Sequence, residues 1–314
     1  MKVLLIAEQA AGARTLQLLA QGEVEIVAVM ASPPGQDGTS LWNLAAKSGY
    51  PTWPAAWARE QNFATQVRDA GVDLLLNVHS MVVIRKEVLE APRLGAFNLH
   101  PGPLPRYAGL NSVSWAIYRG ETQHGVTLHK LVPQIDAGPI VYQEPMGVGG
   151  EETGLTLTAK CVDVGIPLVL RLLAAAAQGP THIPLSPQDL TKREYFGREV
   201  PANGQLSWGR PARQIDRFVR AADYLPFPSP WGAPCTRLGD TTFGIAKVRL
   251  TGRRADRPPG TVGAHTSGGV EVACADEWLL VRQVFREGTC IPAKQVLKAG
   301  DCFADRPAKQ VSTP

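Results

Sequence analysis

Asn98 and His100 stand two residues apart at the end of an apolar run, Ala96-Phe97-Asn98-Leu99-His100. In an extended strand, positions i and i+2 face the same side. An amide and an imidazole therefore project together. Pro101-Gly102-Pro103-Leu104-Pro105-Arg106-Tyr107-Ala108-Gly109 follows, a proline- and glycine-rich stretch that makes a stiff loop. Asp136 comes later, in Gln134-Ile135-Asp136-Ala137-Gly138-Pro139, a turn ahead of the apolar Ile140-Val141. An amide N–H can stabilise a developing oxyanion, and an imidazole can move a proton. A carboxylate beside that imidazole favours its charged form. Each residue alone has a plainer reading: asparagine often caps a turn, a single histidine often packs, and a loop aspartate usually faces water. The set is more specific than its members.

These side chains need a strand and loops to hold them. Residues 3–6 are an apolar run of the kind a central parallel strand shows. Residues 13–19 read as a helix, 24–30 as a second strand, 41–46 and 63–70 as helices, and 74–78 as another strand. This alternation predicts an α/β fold: an open, Rossmann-like, mostly parallel sheet with helices on both faces. Functional groups then belong at the carboxyl ends of the strands. The turn after the first strand, Ala7-Glu8-Gln9-Ala10-Ala11-Gly12, lacks Gly-x-Gly-x-x-Gly and a P-loop lysine, so no dinucleotide cradle is expected there.

Residues 154–177 predict a long helix, bent or interrupted at Pro167 and stopped by Gly179-Pro180. Residues 181–206 have the composition of a linker. A helix over 211–222 carries Ile215, Phe218, Val219 and Ala222 on one face. Short alternating segments at 242–250, 260–264, 270–273 and 278–284 predict a small β-barrel-like C-terminal domain. The division expected is thus 1–180 for the catalytic domain, 181–206 for the linker, 207–304 for the second domain and 305–314 for a frayed tail.

Composition excludes several classes. With 44% hydrophobic and 19% charged residues, the chain is globular rather than disordered. A net charge of +4 is too small to imply nucleic-acid binding by bulk electrostatics. The N-terminal apolar run is too short for a signal peptide and no run is long enough for a membrane helix, so a cytoplasmic location is expected. Five cysteines, none in Cys-x-x-Cys spacing, predict buried reduced thiols rather than a disulfide framework. His124 and His129 are five apart, which is one face of neither a helix nor a strand, and no metal site is expected.

Taken together, Asn98-x-His100, the Pro103-Leu104-Pro105 loop and the distant Asp136 before Gly138 resemble the formyltetrahydrofolate-dependent formyltransferases. Trp115-Ala116-Ile117, Gly120-Glu121-Thr122 and Gly125-Val126-Thr127-Leu128 are similar to that family too. The resemblance covers residues 1–180, and continues more weakly through Phe196-Gly197-Arg198, Trp208 and the 217–222 helix. One departure stands out: Pro101-Gly102-Pro103 takes the place of a Gly-Ser-Leu-type run after the histidine. With Arg106-Tyr107-Ala108-Gly109-Leu110-Asn111 after it, the loop looks closest to formyltransferases of secondary metabolism.

The resemblance implies Asn98, His100 and Asp136 as the catalytic set and N10-formyltetrahydrofolate as co-substrate, without a metal. Its pterin would lie near Met81, Val82, Val83 and Ile84, with Leu104 and Gly138 also in the folate site. A primary amine would attack the formyl carbon, and the oxygen charge would fall to Asn98. His100 and Asp136 would share the amine proton, in a division that the residues leave open. The acceptor would be an amino sugar nucleotide, or an amino acid or carrier-bound aminoacyl group. Methionyl-tRNA is less favoured, and a homodimer stays open. Water in place of the amine would make a formyltetrahydrofolate hydrolase. A silent folate-binding module is the third reading, against which the intact set speaks.

Overall fold

The computed structural model describes residues 1–33 and 40–304, so the expected tail lies outside the described residues. The chain forms two compact units. The first comprises Met1–Leu110, Gln123–Met146 and Ala159–Tyr195, and the second comprises Asn111–Thr122, Gly147–Thr158 and the described residues from Phe196 on.

The first unit is built on a seven-stranded sheet. Its strands are β1 (Lys2–Ala7), β2 (Glu25–Ala31), β3 (Thr52–Pro54), β4 (Leu74–Val78), β5 (Gly95–His100), β7 (Gln123–Lys130) and β8 (Ile140–Gly147), with the two-residue β6 (Ala108–Gly109) on the loop after β5. The order is β3-β2-β1-β4-β5-β7-β8. The first five strands in that order pair in parallel, and β7 runs antiparallel to β5. The expected open, mostly parallel α/β sheet is thus the fold. β1 from Val3 on is an unbroken apolar run, and β4 is apolar except for Asn77, because their side chains are buried on both faces.

Leu4, Ile6, Ala28, Met30, Leu75 and Ala96 line one sheet face, under Phe63, Ala64 and Val67 of helix α3 (Phe63–Asp69) and Val88 and Leu89 of α4 (Lys86–Leu89). Helices α1 (Gln9–Gln21) and α2 (Leu41–Lys47) are the other helices of the β1–β3 crossovers, and Ser40 caps α2 by accepting the Asn43 N–H at 3.2 Å. Helix α6 (Gly154–Ala177) runs unbroken through Pro167, against the interruption expected there. It lies close on the sheet at Gly165, where a Cβ would sit 2.9 Å from Leu99 Cδ2 and 3.2 Å from Val126 Cγ1.

The second unit holds α5 (Ser112–Arg119) and α7 (Ala212–Ala222), and a six-stranded sheet that follows the short β9 (Tyr195–Phe196). The sheet strands are β10 (Cys235–Leu238), β11 (Thr241–Arg254), β12 (Val262–His265), β13 (Val270–Ala273), β14 (Glu277–Arg286) and β15 (Thr289–Pro292). All its pairings are antiparallel. β10 and β15 are additional to the strands read from the sequence. Ile215 and Val219 of α7 join Trp208, Phe243, Ile245, Val281 and Phe303 in one core, as the amphipathic spacing required. No helix among the described residues is long and apolar enough to cross a membrane.

Candidate active site

The apolar face of the sheet turns polar at the carboxyl ends of its central strands. Along β4, Leu75 is in the core and Asn77 follows two residues later. Along β5, Ala96 is in the core, and Asn98 and His100 continue the same face. Register then adds two residues that sequence spacing did not single out. Asn77 pairs with Asn98, and Asn98 pairs with His129 on β7. Three polar side chains thus form a row across three strands, all buried.

Their hydrogen bonds fix orientation. Asn77 Nδ2 donates to Asn98 Oδ1 at 2.9 Å. That commits the Asn98 oxygen and turns its Nδ2 the other way. His129 Nδ1 lies 3.1 Å from the Lys130 carbonyl, which can only accept, so Nδ1 carries the proton. In the neutral ring Nε2 is then a lone pair, to which Asn98 Nδ2 donates at 3.1 Å. The second Asn98 N–H reaches Asp136 Oδ1 at a long 3.4 Å. It is the more weakly held of the two, and the one available to a developing oxyanion.

The loops bring in the remaining members. Asp136 takes a left-handed backbone conformation, φ 52°, at the turn before β8. Its Oδ2 accepts the Gly109 N–H at 2.8 Å and lies 3.5 Å from His100 Nδ1. Its Oδ1 is 3.3 Å from His129 Nε2. His100 Nε2 donates to the Tyr107 carbonyl at 2.8 Å, so Nδ1 is the free position of a neutral ring and faces the carboxylate. The structure therefore brings Asn98, His100 and Asp136 together.

Burial opposes ionisation of Asp136, but the positive charge of His100 and His129 in their protonated forms, with the Gly109 N–H, outweighs it and holds the carboxyl well below the usual range. Burial also pushes His100 down, and Asp136 only partly offsets that. At neutral pH the pair is an ionised carboxylate beside a neutral imidazole. His100 Nδ1 is placed to take a proton and to be stabilised by Asp136 once charged.

The proline-rich loop is held from β7 and β8. Thr127 Oγ1 donates to the Gly102 carbonyl at 2.7 Å and accepts the Leu104 N–H at 3.1 Å, and Gln143 Nε2 donates to the Leu104 carbonyl at 2.8 Å. Leu104 itself is buried. After β4, Val82 and Ile84 pack on the core of the sheet, while Met81 is 68% and Val83 60% exposed.

His79 is a third residue beyond the sequence reading. It follows β4 with φ 54°, and burial, assisted by His100, pushes it from the ordinary 6.5 to about 4. A histidine pKa lowered in the folded state means the unfolded chain binds the proton more tightly. His79 should therefore cost stability as pH falls from 6.5 towards 4, by up to about 3 kcal/mol. Urea titrations of the wild type and His79→Gln should diverge across that window, the wild type losing more. Parallel curves would show that His79 is not the titrating group.

Comparison with known proteins places the chain among relatives. Residues 1–173 match the formyl transferase family model, and residues 200–300 match the model of the formyl transferase C-terminal domain. Among solved structures, HypX from Aquifex aeolicus in complex with tetrahydrofolic acid superposes with a TM-score of 0.69 at 17% identity, over 94% of this chain and 46% of that one. The chain thus spans about half the length of HypX. WlaRD, a sugar 3N-formyl transferase crystallised with dTDP and 5-N-formyl-THF, gives 0.66 at 15% identity, over 92% of this chain and 98% of the other. An N-formyltransferase from Helicobacter canadensis, in complex with folinic acid and dTDP-3-aminofucose, gives 0.66 at 17% identity, over 90% and 98%. With a family model matched along more than half its length, the chain belongs to the formyl transferase family.

Proposed function

We propose that the chain transfers a formyl group from N10-formyltetrahydrofolate to a primary amine of a small molecule, foremost an amino sugar carried on a nucleotide. The observation that carries this reading is the buried Asn98–His100–Asp136 set, with His100 Nδ1 3.5 Å from Asp136 Oδ2. The bound folate would supply the formyl carbon. Asn98 would donate its more weakly held N–H to the oxygen as charge builds there, a contribution of about 3 kcal/mol for one such donor. His100 and Asp136 would accept the amine proton as one unit. No nucleophilic side chain is required, because the amine is itself the nucleophile.

Met81 and Val83 support the folate site, since they expose apolar surface on the loop at the carboxyl end of β4. That surface suits the flat face of a pterin, with Val82 and Ile84 anchoring the loop on the sheet core and Leu104 and Gly138 proposed as further contacts. The sugar acceptor draws support from two relatives of nearly the same length whose structures contain dTDP or a dTDP-amino sugar. The five free cysteines suit a reducing compartment such as the cytoplasm.

The test is an acceptor screen with N10-formyltetrahydrofolate, read by mass spectrometry for the gain of one formyl group. A nucleotide-linked amino sugar should be formylated, and an amino acid or carrier-bound aminoacyl group is the next candidate. Rapid formate release with no amine present, unaffected by any amine added, would replace transfer by hydrolysis.

A further inference from the structure

The segment after α6 has the composition of a connector, yet its hydrogen bonds converge on the two loops of the candidate site. Ser186 pairs with Ile140 through both backbone groups, at 2.8 and 2.9 Å, just beyond the Asp136 turn. Gln188 Nε2 donates to two carbonyls of that turn, Asp136 at 2.9 Å and Gly138 at 2.6 Å. Arg193 Nη2 donates to the Ile135 carbonyl at 2.9 Å, with its guanidinium 4.8 Å from the centre of the Tyr195 ring. Glu194 then reaches the other loop: its N–H donates to the Pro105 carbonyl at 3.2 Å, and its carbonyl accepts the Ala108 N–H at 2.9 Å.

Asp136 needs such support. A non-glycine residue in the left-handed region costs about 1–2 kcal/mol and persists where its surroundings over-determine it. Here the side chain is tied to the Gly109 N–H. The backbone is tied by Gln188 on the Asp136 carbonyl itself and by Arg193 one residue earlier. Released from these donors, the turn could relax to negative φ, which would swing the carboxylate away from His100 Nδ1.

We propose that Gln188 and Arg193 are positioning residues for the Asp136 carboxylate, acting on the reaction through the backbone of the 135–138 turn. The proposal rests on the reading of Asp136 as part of the reacting set. It makes the segment following α6 a working part of the site.

The test is a double-mutant cycle on the full chain, with formyl transfer from N10-formyltetrahydrofolate followed under single-turnover conditions. Gln188→Leu should lower the rate about 10- to 100-fold, the cost of misplacing a reacting group by about 1 Å, with the folate KM within about twofold. In an Asp136→Ala background the same change should cost less than about twofold, because the group it positions is gone. An equal loss in both backgrounds would show that Gln188 acts through general stability, and full activity of Gln188→Leu would show that it does nothing; either overturns the proposal. Arg193→Met, which keeps an aliphatic stem beside Tyr195, is the second variant if Gln188→Leu fails to fold, with the same pattern expected and the same results decisive. If Asp136→Ala itself retains activity, the reading of the site has failed, and that outcome is seen separately in the single variant.

Discussion

Asp136→Ala is expected to lower kcat for formyl transfer by about 10²- to 10⁴-fold, the range for removing a group that takes part in proton transfer. The change removes the charge opposite His100 Nδ1, the acceptor of the Gly109 N–H, and the second acceptor of Asn98. Asp136→Asn separates these contributions, since the amide keeps an acceptor for Gly109 but not the charge.

The pH dependence has a defined sign. Burial already pushes His100 down and Asp136 holds it partly up, so without the carboxylate His100 falls further. The acid limb of kcat/KM, where His100 Nδ1 takes a proton before the amine can supply one, should therefore move to lower pH in both variants. Stability should respond in a different window. The folded-state pKa of Asp136 is depressed, so its contribution is present above the unfolded value of 3.8 and is lost as pH falls below it. The variants should lose less stability than the wild type on acidification through that range. A variant that keeps kcat within a few-fold of wild type would remove the carboxylate from the reacting set.

Gly138→Ala is expected to be among the most damaging additions of a single methyl group in the first unit. A Cβ there would collide with the Lys130 carbonyl oxygen and lie 2.9 Å from its carbon. Both are backbone atoms at the end of β7, so no side-chain rotation can relieve the clash. Either the Asp136 turn or the β7 end must move. The Lys130 N–H to Pro139 carbonyl bond at 2.9 Å and the Gln188 contact on the Gly138 carbonyl lie in the path of that movement. The loss of stability should be about 3 kcal/mol, at the upper end for overpacking. For a cooperative unit of the size of the first unit that corresponds to a fall in Tm of about 6–12 °C. Activity should fall further than stability explains, because the same shift displaces Asp136. Gly22→Ala is the control: its Cβ would meet only ordinary contact, 3.7 Å from the Leu19 carbonyl oxygen. Equal melting temperatures for the two variants would mean that the turn is looser than its geometry implies.

Part of the candidate site's geometry was legible in the chain itself. The two-residue spacing of Asn98 and His100 survives as a shared strand face, because alternation is a local property of extended backbone. The apolar runs of β1 and β4 announced a buried parallel sheet for the same local reason. The face of α7, with Ile215 and Val219, packs as its periodicity required.

His129 and Asn77 were not legible in this way. His129 belongs to no spacing pattern with His124, and it enters the site because β7 pairs antiparallel with β5 in a register that sets it opposite Asn98. Asn77 arrives by the parallel pairing of β4 and β5. Register between strands far apart in sequence is decided by how whole faces bury together, which no short window of residues encodes.

The segment after α6 shows the same limit from the other side. Its polar, glycine- and proline-containing composition describes a connector, and its partners are backbone carbonyls, which every residue offers and none advertises. The sequence by itself determined the groups available at the candidate site: an amide, an imidazole and a carboxylate, two of them on one strand face. Tertiary structure alone decided how they are set. It turned the Asn98 amide by Asn77 and His129, and it brought Gln188 and Arg193 onto the Asp136 turn. Side-chain type and spacing are written locally, whereas orientation comes from contacts between segments that meet only when the sheet has formed.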